Sequence, residues 1–156
     1  MTYIEWTDDF STGITVIDAQ HKRIIHYINQ LTDAQKLNEP ELTGEVLLNL
    51  IDYTLSHFAF EESLMEDAQY DAMSIHKKTH DSFRNKINSY QTRYSEGENI
   101  SDELFQVLNV WLVSHIADDD NSYVPVVKKN IPNINTTDKD DWLKKKIQHF
   151  FSGGSK

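Results

Sequence analysis

Four stretches of this chain repeat apolar residues at alternating three- and four-residue steps, and histidine interrupts every one of them. The stripes are Ile17, His21, Ile24, Ile28, Leu31; Leu47, Leu50, Thr54, His57, Glu61, Leu64; Met73, His76, His80, Phe83, Ile87, Tyr90, Tyr94; and Leu104, Leu108, Trp111, His115. A helix in a bundle turns such a stripe toward its neighbours, so a chain folding on these stripes buries imidazole in its core. With only 5 Gly and 3 Pro, and no sustained apolar–polar alternation, nothing argues for a strand. The spacing predicts an all-α fold with an arm at 1–16, helices over roughly 18–37, 41–66, 70–95 and 101–122, and a shorter fifth near 139–151.

Local punctuation supports these limits. Pro40 suits the first turn of the second helix, Gly97 and Asn99 separate the third from the fourth, and Ser101 suits an N-cap. Pro125 and Pro132 are expected to end the fourth helix and open an irregular connector, "NIPNINTTDKDD". No internal repeat or low-complexity segment is present. Two units are therefore expected, a bundle over 1–127 and a connector with a basic amphipathic helix over 128–156.

Depth along each helix supplies a second constraint. Short connections make consecutive helices antiparallel in an up-down-up-down four-helix bundle. His21 lies near a helix start, His57 and Glu61 near an end, His76 and His80 near a start and His115 near an end, so all of them fall at one level. His26 leaves the first stripe and His149 lies in the tail, and both are expected on the surface.

Five imidazoles and a carboxylate in one layer cannot satisfy one another, and each buried polar group left unpaired costs about 1–3 kcal/mol. A metal removes the conflict. One first-row ion rarely accepts so many ligands, so two ions fit better, with Glu61 and one of Asp118, Asp119 and Asp120 as bridging anions. The chain has no Cys, which excludes disulfides, thiolate sites and Cys nucleophiles. Imidazole and carboxylate suit iron, manganese or zinc. The Glu-x-x-His of ferritin-like sites and the His-Glu-x-x-His of zincins are both absent.

Charge narrows the partners. The 22 acidic and 8 basic residues up to Val127 repel a phosphate backbone, while 7 Lys against 3 Asp make the remainder basic. Nucleic acid is not expected as a partner. No apolar run approaches a membrane span and the N-terminus lacks a leader pattern, so a soluble cytoplasmic protein is expected. In "DDWLKKKIQHFF", Leu143, Ile147, Phe150 and Phe151 share one side, opposite three lysines. This reads as a helix packed on the bundle, with docking of a partner protein or a membrane surface as the alternative.

Four segments, "GITVIDAQHKRI", "HFAFEESLM", "HKKTH" followed by Phe83, and "WLVSHIADDDNSY", resemble the bacterial single-domain members of the hemerythrin family in order and spacing over about residues 3–127. The resemblance implies a four-helix bundle that binds dioxygen reversibly at two non-haem irons, for carriage, storage, sensing or delivery rather than turnover. It implies that His76, His80 and His115 hold one iron and His21 and His57 the other, with Glu61, Asp120 and an oxo or hydroxo group bridging. Helical periodicity by itself favours Asp119, four residues after His115, whereas the family's aspartate lies five after and its tyrosine eight after, at Tyr123. Ile24, Phe58, Trp111, Leu112 and Ile116 fall where the family has its oxygen pocket. The rival readings are a di-iron oxidase or peroxidase, a nitric-oxide-handling protein, a regulatory module acting through the tail, and a phosphohydrolase suggested by His80-Asp81.

Overall fold

The computed structural model describes residues 3–98, 101–117, 121–132, 134 and 148–151, without the side chains of 101, 112 and 117. Helix α1 spans Thr15–Lys36, α2 Pro40–Asp67 and α3 Met73–Ser95. Helix α4 covers 101–117 as an α segment Ser101–Val107, a π-helical segment Leu108–Leu112 and an α segment Val113–Ala117. A short α5 follows over Val124–Asn130.

Stop signals explain the three long helices. Each is followed by a left-handed residue, Asn38 (φ 55°), Gln69 (φ 58°) or Gly97 (φ 93°). Beyond it the next backbone N–H turns back to a carbonyl five residues earlier: Glu39 to Ala34, Tyr70 to Met65, and Glu98 to Arg93. This arrangement closes a helix by satisfying carbonyls in its last turn. Pro40 occupies the first turn of α2, where its missing N–H costs nothing.

Before α1, Asp18 accepts hydrogen bonds from the Thr12 N–H and hydroxyl, both at 2.8 Å, and from the Ser11 hydroxyl at 3.0 Å. The arm is tied further along α1, because Ile4 exchanges two 2.9 Å hydrogen bonds with the Asn29 amide. Gly13 sits at φ 77° in the turn between arm and helix, a conformation that strains any side chain bearing a Cβ.

Two apolar clusters fill the interior. One contains Ile24, Ile28, Leu31, Leu50, Phe58, Phe83, Ile87, Leu104, Leu108 and Ile116. The other contains Ile14, Ile17, Phe60, Leu64, Met65, Tyr123, Val127 and Ile134. Along α1, His21 falls between Ile17 of the second cluster and Ile24 of the first, so the polar layer lies where the clusters meet. The antiparallel arrangement is visible there: His21, near the start of α1, lies 4.9 Å ring to ring from His57, near the end of α2.

Several expectations are corrected. The third helix starts at Met73 rather than 70, because Tyr70 and the left-handed Gln69 still belong to the turn closing α2. The fourth reaches only 117 within the described residues. Pro125 does not end a helix but lies in the first turn of α5, which runs on to Asn130. Tyr94 is 52% exposed instead of buried, lying in a surface groove with Gly44, Leu47 and Leu104. His26 and His149 are exposed, as expected. Of the fifth helix only 148–151 is described, and it is helical; Leu143 and Ile147 lie outside the described residues. Phe150 and Phe151 contact the ring of Phe60 at 6.4 and 6.0 Å, and Phe151 that of Tyr53 at 5.1 Å.

Candidate metal centre

The four helices bring the predicted donors together in two overlapping groups. Donor atoms of Glu61, His76, His80 and His115 all lie within 4.8 Å of one another, and so do those of His21, His57 and Glu61. Every one of these side chains is buried, His76 being the most accessible at 6%. Glu61 belongs to both groups. Its Oε1 lies 3.3 Å from His57 Nε2 on its own helix, 3.3 Å from His80 Nε2 on α3 and 3.9 Å from His115 Nε2 on α4. One carboxylate therefore faces three helices. Asp120 lies outside the described residues, as do Asp118 and Asp119.

Neighbours of these residues orient the rings. His80 Nδ1 lies 2.8 Å from Glu62 Oε2, and an ionised carboxylate only accepts, so the proton sits on Nδ1 and the Nε2 lone pair of neutral His80 turns inward. His57 Nδ1 likewise donates to the Gln20 carbonyl oxygen at 2.6 Å. The Tyr123 hydroxyl donates to Glu61 Oε2 at 2.6 Å, leaving Oε1 as the oxygen that faces the imidazoles.

Burial opposes the His80 imidazolium, but its hydrogen bonds with Glu61 and Glu62 and the Glu61 charge outweigh that effect and raise its pKa above the ordinary value. Glu62 is pushed up by burial and pulled further down by His80 and Arg84, so its carboxyl stays below the usual range. A proton and a cation compete for His80 Nε2.

Aromatic rings wall one side of the layer. Phe58 stacks on His80 at 3.9 Å and 7°, and Trp111 lies nearly parallel to His115 at 4.9 Å and 14°. Of the pocket residues expected from sequence, Ile24, Phe58 and Ile116 are fully buried and Trp111 is partly so, while the Leu112 side chain lies outside those described. Trp111 sits in the π-helical turn, where one extra residue per turn changes the direction in which side chains leave the helix.

The family model for the hemerythrin HHE cation binding domain matches residues 12–127. The chain belongs to the hemerythrin family. A bacteriohemerythrin of Pseudomonas aeruginosa (strain LESB58) is 46% identical over 153 residues, covering 97% of this chain and 99% of the relative. One from Stenotrophomonas maltophilia (strain R551-3) is 41% identical over 152 residues with the same coverage. Among solved structures, a hemerythrin with one leucine replaced by alanine superposes with a TM-score of 0.76 at 29% identity, covering 81% of this chain and 98% of that one. This hemerythrin is thus an all-α four-helix bundle that binds oxygen at a non-haem di-iron site.

The residues present fit such a pair of ions. Two nitrogens bound side by side to one ion, at a metal–nitrogen distance of roughly 2.1 Å, lie roughly 3 Å apart. His80 Nε2 and His115 Nε2 are 3.0 Å apart. Two donor groups sharing one carboxylate also answer the need for an anion between two cations.

Periodicity located the imidazoles but not the side chains that aim them. Gln20 and Glu62 each stand next to a seam residue, His21 and Glu61, and each serves a histidine on the neighbouring helix. Adjacency to the seam was the only signal, and it does not say which histidine is served. Tyr123 was legible as a marker of register, while its hydrogen bond to Glu61 was not.

Proposed function

We propose that His76, His80 and His115 hold one iron and His21 and His57 the other, with Glu61 and Asp120 spanning both, in a protein that binds and releases dioxygen rather than turning it over. The observation that carries the reading is Glu61 Oε1, which stands within 4 Å of imidazole nitrogens from both groups. The group with fewer protein ligands, His21 and His57, is the side left open to dioxygen. When bound, the iron pair supplies the electrons that dioxygen takes up and returns.

The protein's own side chains protect that exchange. Ile24, Phe58, Trp111, Leu112 and Ile116 form the oxygen pocket and keep water and stray protons away from it. Glu62 and Gln20 keep each imidazole proton on Nδ1, and Tyr123 holds Glu61 Oε2. The bundle over 1–127 is the oxygen-binding unit. Phe150 and Phe151 pack against Phe60 of that unit. We place the protein in the cytoplasm; no helix among the described residues is long and apolar enough to cross a membrane. The phosphohydrolase reading has no support in the site, because Asp81 is half-exposed and ion-paired to Arg84 at 2.8 Å instead of turning inward.

The iron-loaded, anaerobically reduced protein should be nearly colourless, take up colour in air and bleach when oxygen is withdrawn, through repeated cycles. Irreversible colouring with accumulating peroxide would instead mark an oxidase. The choice of carboxylate has its own test: Asp120→Asn should lower iron content while Asp119→Asn leaves it unchanged, and the reverse pattern would move the bridge to Asp119.

A further inference from the structure

The imidazole of His80 is held on its edge and on its face by one connected set of side chains. Glu62 Oε2 accepts from His80 Nδ1 at 2.8 Å and the same oxygen accepts from Arg84 at 2.9 Å. Arg84 donates to Asp81 at 2.8 Å, and its guanidinium lies 5.6 Å from the centre of the Phe58 ring. Phe58 in turn stacks on His80 at 3.9 Å. The circuit His80, Glu62, Arg84, Phe58 closes on itself and links a fully buried ring to an arginine whose side chain is 26% exposed. At His57 the Nδ1 partner is instead the neutral Gln20 amide, at 2.6 Å.

We propose that Glu62 and Arg84 form a positioning pair for His80, in which Glu62 fixes the ring's tautomer and lends it negative charge, and Arg84 limits how much of that charge the ring receives. An anion behind an imidazole makes the opposite nitrogen a stronger donor, which favours the higher oxidation state of the ion it holds. A guanidinium sharing the same carboxylate oxygen draws charge the other way. The Nδ1 sides of His80 and His57 are thereby made unequal, one backed by a shared carboxylate and the other by an amide. Arg84 is the adjustable part, since it reaches the surface while every other member of the circuit is largely buried.

The inference rests on His80 being an iron ligand, and the experiment separates the two. Iron release from the loaded protein to a hydroxamate chelator is measured for the parent, His80→Ala, Glu62→Leu, Glu62→Gln and Arg84→Met, together with the rate at which each oxygenated protein decays to the oxidised form. Nitrogen-15 spectra of the metal-free proteins, recorded at a pH high enough to leave the ring neutral, report the His80 tautomer. Glu62→Leu should lose the preference for the proton on Nδ1, and both Glu62 variants should release iron about 10- to 100-fold faster. Glu62→Gln keeps an acceptor without the charge, so it should retain the tautomer. Arg84→Met should hold iron within twofold of the parent and decay at least threefold faster, and Arg84→Lys should restore much of the difference. If His80→Ala loses iron while both Glu62 variants behave as the parent, the pair has no positioning role. An unchanged decay rate in Arg84→Met overturns the part assigned to Arg84. If His80→Ala itself retains iron, the ligand assignment fails instead.

Discussion

Glu61→Gln should reduce the iron content from two ions per chain to one or none, with loss of oxygen binding. Glu61 is the carboxylate common to both donor groups, and its Oε1 lies within 4 Å of nitrogens contributed by α2, α3 and α4. Gln keeps the shape but removes the negative charge that screens two cations from each other. A neutral amide is also a poor ligand for hard metal ions. Metal analysis after loading and exhaustive desalting reads the result directly, and retention of two ions would remove Glu61 from its bridging role. Stability should follow, because an ion that binds only the folded chain stabilises it by mass action, by about 4 kcal/mol at a thousandfold excess over Kd. The variant's melting temperature should therefore respond little to added ferrous iron, whereas the parent's should rise.

Phe58→Ala should cost about 3–5 kcal/mol of folding stability, the range for deleting a buried aromatic ring. Phe58 is fully buried and lies against five other rings: His80 face to face, Phe83, Trp111 and His115 edge on at 5.6, 5.9 and 5.5 Å, and His57 tilted at 6.2 Å. The hole would open beside His80, in the aromatic wall of the polar layer. Denaturant titration of the metal-free variant measures the packing loss separately from metal binding. In the loaded protein the oxygenated form should decay faster than in the parent, and Phe58→Leu should show a smaller change in both measurements. A stability loss below about 1 kcal/mol would show that the ring contributes little to the core.

The parts of the fold that were legible in the sequence are those governed by period and composition. Stripes at three- and four-residue steps require helices, and the positions of His21, His57, Glu61, His76, His80 and His115 along antiparallel helices place them in one layer. Pro40 and Gly97 marked a start and a stop because their backbone preferences are intrinsic. The end of α2 was legible, but the start of α3 was not: Gln69 takes a left-handed backbone conformation unusual for that residue, and the turn that brings Tyr70 back to Met65 delays the next helix to Met73. Pro125 was misread for a related reason. A proline is compatible with the end of one helix or the first turn of the next, and the chain path after Tyr123 chose the second.

The boundary between the two kinds of information runs through the metal layer. Sequence by itself determined that five histidines and a glutamate would be buried at one depth, and that so many donors without sulfur call for a pair of cations. Tertiary structure alone decided that Gln20 turns to His57 and Glu62 to His80, that Tyr123 takes one oxygen of Glu61, and that a π-helical turn carries Trp111 alongside His115. Helical period determines which face of one helix a residue occupies, and that much is local. Which atom it meets across the bundle depends on the rotation and offset of two helices relative to each other, which only packing sets.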